Sequence, residues 1–238
     1  MALVLPIVGL LIFSGMTLLE KRGVVSEMDS LQELADLAPT ISALVHELQK
    51  ERGRSAVFIG SKGTKFVKEL PEQWTLTSEK HTNLDNALNT FDAKSFSTAL
   101  VDKVATAKEA MSNLADIRKG VDARSITVPK MAGYYTPTIA KLLKIVEEMA
   151  VLSTNAQVTK SITAYVSFLQ GKERSGIERA MGGAGFGAGK FSPAIFQKFV
   201  QLIAMQATFM STFDLFATQE ERDFLTTTVV GPDVDEVE

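Results

Sequence analysis

The chain has 238 residues, of which 45% are hydrophobic, so it is long enough to bury a substantial core. It contains no cysteine, which excludes disulfides, thiolate zinc sites and cysteine nucleophiles. The net charge is −3 and the basic residues are scattered, so the sequence lacks the basic surface that nucleic-acid binding requires. We therefore expect no nucleic-acid partner. Seven prolines, with long stretches that contain none, favour an all-α fold.

An uncharged segment opens the chain. Residues 2–19 carry no charge, and 18 helical residues span roughly 27 Å, which is enough to cross a bilayer. A signal peptide is the alternative, but a basic n-region and a small-residue cleavage site are missing. We predict a transmembrane helix over residues 1–22. The positive-inside rule would place Lys21 and Arg22 in the cytoplasm, which conflicts with a sensor outside the membrane unless basic residues preceding Met1 are missing.

Apolar residues then recur every three or four positions, the spacing of packed helices. This pattern predicts a first helix that runs to about Gly60, and Gly, Pro or Ser-Thr-Asn segments separate the later ones. The predicted architecture is an antiparallel helical bundle, or two stacked bundles, over residues 23–238. The later helices are predicted at about 64–91, 95–120, 134–154, 156–185 and 193–218.

A glycine-rich stretch, residues 181–190 (MGGAGFGAGK), has a composition like that of a phosphate-binding loop. Its spacing is wrong for one, because a Walker loop has Ser or Thr after the lysine and follows a buried strand. In this chain Phe191 follows Lys190, and the neighbouring segments are helical in pattern. We interpret the stretch as a helix end and a turn between helices.

A charged residue lies where the core should be. On a helical wheel the apolar stripe of the first helix passes through Ile41, Val45 and Leu48, and Arg52 falls at its centre. Glu173 falls inside the apolar face of a later helix in the same way. An unpaired buried charge costs several kcal/mol, so two interpretations stay open. Either Arg52 forms a buried ion pair with Glu173, or Arg52 binds an oxyanion through its planar fork.

The remaining charges near these two residues are predicted to lie at the surface or on a flank. Arg54 is about 200° from Arg52 on the wheel, and Arg179 lies on the flank of its helix. Glu51 with Arg54, and Arg174 with Glu178, have the spacing of surface ion pairs within one helix.

No enzyme signature is present. The sequence shows no serine-histidine-acid grouping, no paired-carboxylate motif and no cofactor fingerprint, so neither an enzyme nor a cofactor is expected. His46 and His81 are isolated and lack the spacing of metal ligands on one helix face, so no metal site is expected. The aromatic residues between Phe191 and Phe216 are spaced for one helix face, and we interpret them as core.

Three separated motifs carry a resemblance to a known family. They are residues 46–63 (HELQKERGRSAVFIGSKG), residues 172–180 (KERSGIERA), and an F-x-x-F-x-x-L-x-x-x-Q pattern over residues 196–206. In this order they resemble the NIT domain, the nitrate- and nitrite-sensing family, over about residues 26–238. The resemblance implies two stacked four-helix bundles, usually outside the cytoplasmic membrane, with arginines near the bundle junction that bind nitrate or nitrite.

The resemblance also implies ligand-binding residues. The ERG motif places Arg52 and the ERA motif places Arg179 in the family's pattern. Arg54, Arg174 and Glu173, which stand in the same two motifs, complete the predicted site.

The predicted function is that of an extracytoplasmic sensing domain in a bacterial receptor. We expect a methyl-accepting chemotaxis protein of the bacterial cytoplasmic membrane, which binds nitrate or nitrite and transmits a helix displacement across the membrane. The predicted partners are the small anion, the membrane and a second copy in a homodimer. Residues 230–238 read as the start of a final helix, so we expect the domain to be truncated there. The alternative is a helical interaction or spacer module that binds a partner protein.

Overall fold

The computed structural model describes residues 4–153, 155–187 and 190–231, with side chains for all of these except residues 4–31 and 183–187. Within these ranges the regular structure is entirely helical, which confirms the predicted all-α class. The helices are α1 (Val4–Gly60), α2 (Glu69–Thr90), a 3₁₀ turn (Ala93–Ser95), α3 (Thr98–Met111), α4 (Leu114–Asp122), α5 (Val128–Leu152), α6 (Ala156–Gly187), α7 (Pro193–Phe216) and α8 (Gln219–Thr228).

The helix predicted at 95–120 is in fact two helices, α3 and α4. The side chains of Ser112 and Asn113 both bond to the carbonyl oxygen of Glu109, at 2.7 and 3.5 Å. Such local side-chain bonds compete with the helical backbone and favour a break at this point. Helix α5 begins earlier than predicted, because the Thr127 hydroxyl caps it by accepting from the Lys130 N–H.

Helix α6 extends further into the glycine-rich stretch than predicted. It ends at Gly187, close to the predicted end at about residue 185, so residues 181–187 of the stretch are helical. Glycine weakens a helix by about 1 kcal/mol relative to alanine, but unlike proline it keeps its N–H donor and creates no clash. Gly182, Gly183 and Gly185 therefore lower the helix propensity without ending the helix.

The chain divides into two compact units, residues 1–39 and residues 40–238. The boundary coincides with Pro39 inside α1, where the backbone lacks one N–H donor. In the second unit α6 packs against α5 and α7, and α5 packs against α3 and α4. Helices α6 and α7 are antiparallel, because Ala164 clusters with Ala217 whereas Gly171 approaches Met210.

The predicted stripe of α1 is buried. Ile41, Leu44, Val45 and Leu48 are each at most 2% exposed, and Arg52 continues the same face at 6%. The helical wheel therefore placed the charge correctly within an apolar surface.

Helix α7 presents part of its apolar surface outward. Phe213 is buried, but Phe196 is 55% exposed, so the prediction that the aromatic residues all lie in the core is wrong at Phe196. Among the described residues, α7 alone is long and apolar enough to cross a membrane, judged by length and composition only. The transmembrane span predicted at residues 2–19 lies in a segment whose side chains are outside the described part of the structure.

Two glycines test the packing of the second unit. Gly171 is buried, and a methyl group there would lie 3.3 Å from the Met210 sulfur and 3.6 Å from the Phe209 Cβ. Gly133 is exposed in α5 and has open space around it. We expect Gly171→Leu to lower the free energy of unfolding by about 1 to 3 kcal/mol through overpacking. Gly133→Ala should raise it by up to about 1 kcal/mol. Urea unfolding measures both, and a stabilised Gly171→Leu would contradict the close packing of α6 on α7.

Candidate functional site

Arg52 and Glu173 form a buried ion pair that joins α1 to α6. The Arg52 Nη1 lies 2.6 Å from Glu173 Oε1, and the Arg52 Nη2 lies 3.1 Å from Glu173 Oε2. Arg52 is 6% exposed and Glu173 is 2% exposed. Two parallel hydrogen bonds between guanidinium and carboxylate are the strongest common geometry for this pair. Of the two interpretations left open by the sequence, the ion pair is present in this structure.

Three further residues shape the surroundings of the pair, and no sequence pattern pointed to them. The Gln49 amide donates to Glu173 Oε2 at 2.9 Å, and the Arg52 Nη1 donates to the Thr136 hydroxyl at 3.0 Å. A methyl group at Gly176 would lie 3.1 Å from the Arg52 Nη2, so a larger residue at this position would require the guanidinium to shift. The site is therefore built by α1, α5 and α6 together.

The other predicted ligand-binding residues lie elsewhere. Arg54 donates to the Glu69 carbonyl oxygen at the start of α2, at 3.0 Å. Arg174 bonds to Gln170 and places its guanidinium 5.2 Å from the centre of the Phe209 ring. Arg179 is exposed and has no ion pair or hydrogen bond with the described residues. The structure thus brings Arg52 and Glu173 together, and ligand binding by the remaining three arginines stays a prediction.

A second buried ion pair lies one residue away, and sequence reasoning missed it. Arg118 of α4 donates to both carboxylate oxygens of Glu51, at 2.8 Å each. The Tyr135 hydroxyl donates to the same carboxylate at 2.6 Å, and Glu51 is 0% exposed. The predicted surface pair of Glu51 with Arg54 is wrong, because a partner 67 residues away gives Glu51 a bidentate contact in the core. No local spacing could have revealed that partner.

The protonation states of this cluster follow from its burial. Burial would lower the pKa of Arg118, but the hydrogen bonds and charge of Glu51 outweigh this and raise it. Burial and the Glu51 charge raise the pKa of Tyr135 well above its ordinary range, so its phenol stays protonated and donates. Burial also raises the pKa of the neighbouring Tyr134 to about 12. Arg118 therefore stays charged, and both tyrosines stay neutral, at neutral pH.

A pair of basic side chains lies next to the Arg52 site. The Lys172 Nζ is 2.9 Å from the His46 Nδ1, which again joins α1 to α6. Partial burial lowers the pKa of Lys172, although the Glu173 and Glu47 carboxylates oppose this. Partial burial and the Lys172 charge lower the pKa of His46. Within the described part of the chain, no group of three or more His, Asp or Glu residues could hold a metal ion.

The family model described as nitrate and nitrite sensing matches residues 43–238. This chain belongs to that NIT family. The nitrate regulatory protein of Klebsiella oxytoca is 35% identical over 192 residues, which make up 80% of this chain and 48% of that protein. The solved structure of the NasR transcription antiterminator covers 93% of this chain and 61% of its own, with 31% identity and a TM-score of 0.82. The chain thus spans about half the length of the nitrate regulatory protein.

These relatives overturn the receptor context predicted from the sequence. Both are regulators by name, so the prediction of an extracytoplasmic sensing domain in a chemotaxis receptor is wrong. The predicted place in the bacterial cytoplasmic membrane, with the membrane as a partner, is wrong for the same reason. A run of uncharged residues meets the length requirement of a span, but it does not identify the protein that carries a sensor domain.

The exclusion of a nucleic-acid partner is also wrong. One relative is a transcription antiterminator, and transcription is a process on nucleic acid. The scattered charge is a property of this chain alone, whereas the relatives are longer than the part that it matches. The domain boundaries, with a transmembrane helix over 1–22 and the sensor over 23–238, stay a prediction.

The Glu51 pair should be costly to break. We expect Arg118→Met to lower the free energy of unfolding by about 3 to 5 kcal/mol, because it leaves a fully buried carboxylate without a counter-charge. Lys119→Met is the matched control, since Lys119 is adjacent on α4 and pairs with Asp116 where both side chains are 79% exposed. Its cost should be about 0 to 1 kcal/mol. Equal losses in chemical denaturation would contradict the buried pair.

The lowered pKa of His46 predicts how stability varies with pH. Between that lowered value and the ordinary value of 6.5, the unfolded chain binds more protons at this residue than the folded chain. The free energy of unfolding should therefore rise with pH through this window, and the stability is lost as pH falls below 6.5. Urea unfolding at about pH 5.5 and about pH 7.5 measures the difference. His46→Gln should reduce it, and an unchanged difference in that variant would assign the effect to other groups.

Proposed function

We propose that this chain is the nitrate- and nitrite-sensing part of a regulatory protein, with the Arg52 guanidinium as the group that binds the anion. The observation that carries the proposal is a buried arginine fork at the meeting of α1, α5 and α6 in a chain of the NIT family. A guanidinium is always charged and presents two parallel N–H donors, which match two oxygens of a planar oxyanion. The proposal includes no catalytic activity, since the relatives are regulators by name.

The output follows by likeness to those relatives. The Klebsiella protein is a nitrate regulatory protein and NasR is a transcription antiterminator. We propose that anion binding in this chain controls an activity in transcription of the same kind, carried by a part of the protein with nucleic acid as its partner. Binding at Arg52 would act on α6 first, because Glu173 is the residue that holds the fork in this structure.

We also propose the arrangement of two stacked four-helix bundles that the family resemblance implies. The contacts of the second half of α1 support it. Side chains of α1 bond to α2 through Glu47 and Gln73, to α5 through Glu51 and Tyr135, and to α6 through Arg52. A helix with neighbours on several sides is typical of a bundle interior.

Calorimetric titration tests the binding proposal. We expect nitrate and nitrite to bind the wild-type protein, and Arg52→Lys to weaken binding by about 10- to 150-fold, equivalent to 1.5 to 3 kcal/mol for a charged hydrogen bond. Lysine keeps the charge that balances Glu173 but loses the planar fork, so the fold should survive.

The controls use the other arginines. Arg54→Lys should leave the affinity nearly unchanged, because Arg54 bonds to a backbone carbonyl of α2. Arg174→Lys and Arg179→Lys measure any additional contribution from those predicted residues. Equal losses in Arg52→Lys and Arg54→Lys would show that the anion does not bind the Arg52 fork. A well-folded wild-type protein that releases no heat with either anion, at millimolar concentration, would refute nitrate and nitrite sensing by this chain.

A further inference from the structure

The Arg52 fork is already filled by an anion that belongs to the chain itself. Both Glu173 oxygens accept from the guanidinium, at 2.6 and 3.1 Å, and neither residue is more than 6% exposed. An external anion of the same shape cannot use those donors while the carboxylate stays in place. Binding at Arg52 is therefore an exchange of one anion for another.

The shape of the resident carboxylate defines which anions can replace it. Nitrate, nitrite, formate and acetate each carry one negative charge and present two oxygens from one planar centre, as the Glu173 carboxylate does. Sulfate and hydrogen phosphate are tetrahedral and carry two charges, and one guanidinium balances only one of them. Burying the second charge without a counter-charge would be strongly unfavourable.

We propose that Glu173 is an internal occupant of the ligand position, and that the site accepts planar monoanions as a class, small carboxylates included. This inference rests on the proposed function, since it concerns the same Arg52 fork. Glu173 is then a specificity-determining residue. It selects ligands that resemble a carboxylate in shape and charge, and a ligand must compete with it for the Arg52 fork.

The surroundings of the pair are suited to the exchange. The Arg52 Nη2 faces Gly176, where a Cβ would lie only 3.1 Å away, so no side chain from this position of α6 crowds the fork. The Gln49 amide, which donates to the Glu173 carboxylate, can donate to an anion that replaces it, and the Thr136 hydroxyl accepts from Arg52 independently of Glu173. The fork thus keeps its contact with Thr136 after the carboxylate leaves.

The released carboxylate needs a new counter-charge, and the charge of Lys172, which already interacts electrostatically with Glu173, is available for it. Lys172 is adjacent to Glu173 on α6, and its Nζ contacts the neutral His46 ring. It forms no ion pair with any carboxylate of the described residues. Nitrate, Arg52, Glu173 and Lys172 together carry a net charge of zero, so the exchange leaves no uncompensated charge in this group.

Removal of the internal anion tests the inference. Glu173→Ala leaves an empty position beside the buried fork, and we expect a lower melting temperature that nitrate, nitrite, formate and acetate each restore saturably. Sulfate at the same ionic strength should restore nothing. Glu148→Ala is the matched control, since Glu148 pairs with Lys103 at 2.6 Å between α5 and α3, away from the fork. Its loss of stability should respond to none of these anions.

Glu173→Gln gives a second measurement that does not depend on Glu173→Ala being folded. It keeps the size of the side chain and removes the charge, so nitrate should bind it at least tenfold more tightly than it binds the wild type. If the wild type binds nitrate and Glu173→Gln binds it no more tightly, the internal-occupant inference is overturned and the proposed function stands. If neither protein binds nitrate or nitrite, the proposed function fails and this inference fails with it.

Discussion

Two opposite charges, Glu51 and Arg52, are buried side by side on α1, and the helices around them are arranged so that each charge has a partner. Consecutive residues of a helix project about 100° apart, so one charge cannot share the partner of the other. Glu51 is balanced by Arg118 of α4, 67 residues away, and Arg52 by Glu173 of α6, 121 residues away. A buried pair adds little net stability compared with apolar residues, but losing one partner is costly. The two ion pairs therefore serve chiefly to specify which helices pack beside α1.

Helix α5 connects the two pairs. Its consecutive residues Tyr135 and Thr136 bond to Glu51 and to Arg52, respectively. A displacement of Arg52 would therefore act on Thr136, which is adjacent on α5 to the Tyr135 that bonds to Glu51. A ligand can shift such an arrangement only by its differential affinity for the two states, and tenfold corresponds to about 1.4 kcal/mol. That is within the usual range of coupling between sites, so the geometry needs no larger effect to carry a signal.

The sequence predicted what depends on local periodicity and failed where distant parts of the chain meet. The wheel of α1 identified Arg52, and that of α6 identified Glu173, because an apolar stripe makes a single charge visible. Arg118 was missed, since α4 has only nine residues and one half-buried arginine does not stand out among its polar residues. The predicted pair of Glu51 with Arg54 was wrong because spacing within a helix shows only which side chains can form an ion pair. Which pair forms depends on the partners that tertiary packing brings to the buried carboxylate.

The predictions about the glycine-rich end of α6 and about the receptor context were inaccurate for other reasons. Low helix propensity does not end a helix whose backbone donors are all present, so the run of glycines up to Gly187 stayed helical. The uncharged residues 2–19 and the scattered charge describe this chain alone. The kind of protein in which a sensor domain is found is set by parts of the relatives that this chain does not match. The helix ends were also approximate, because capping by Thr127 and Ser112 depends on side-chain geometry that periodicity does not contain.

If Glu173 occupies the ligand position as proposed, it also determines the concentration range in which the anion binds. The apparent affinity of a ligand falls by the fraction of molecules whose site is open, so a fork closed by Glu173 in about 99% of molecules weakens binding roughly 100-fold. A side chain on the same bundle has a high effective concentration, of the order of millimolar or above for short connections. A free fork that would bind an oxyanion tightly then responds only when the anion is abundant. Such a site would respond to abundant anion and would stay unoccupied at trace concentrations. The concentration needed for binding would depend on the interactions of Glu173 with Gln49 and Lys172, so it could change without any change in Arg52.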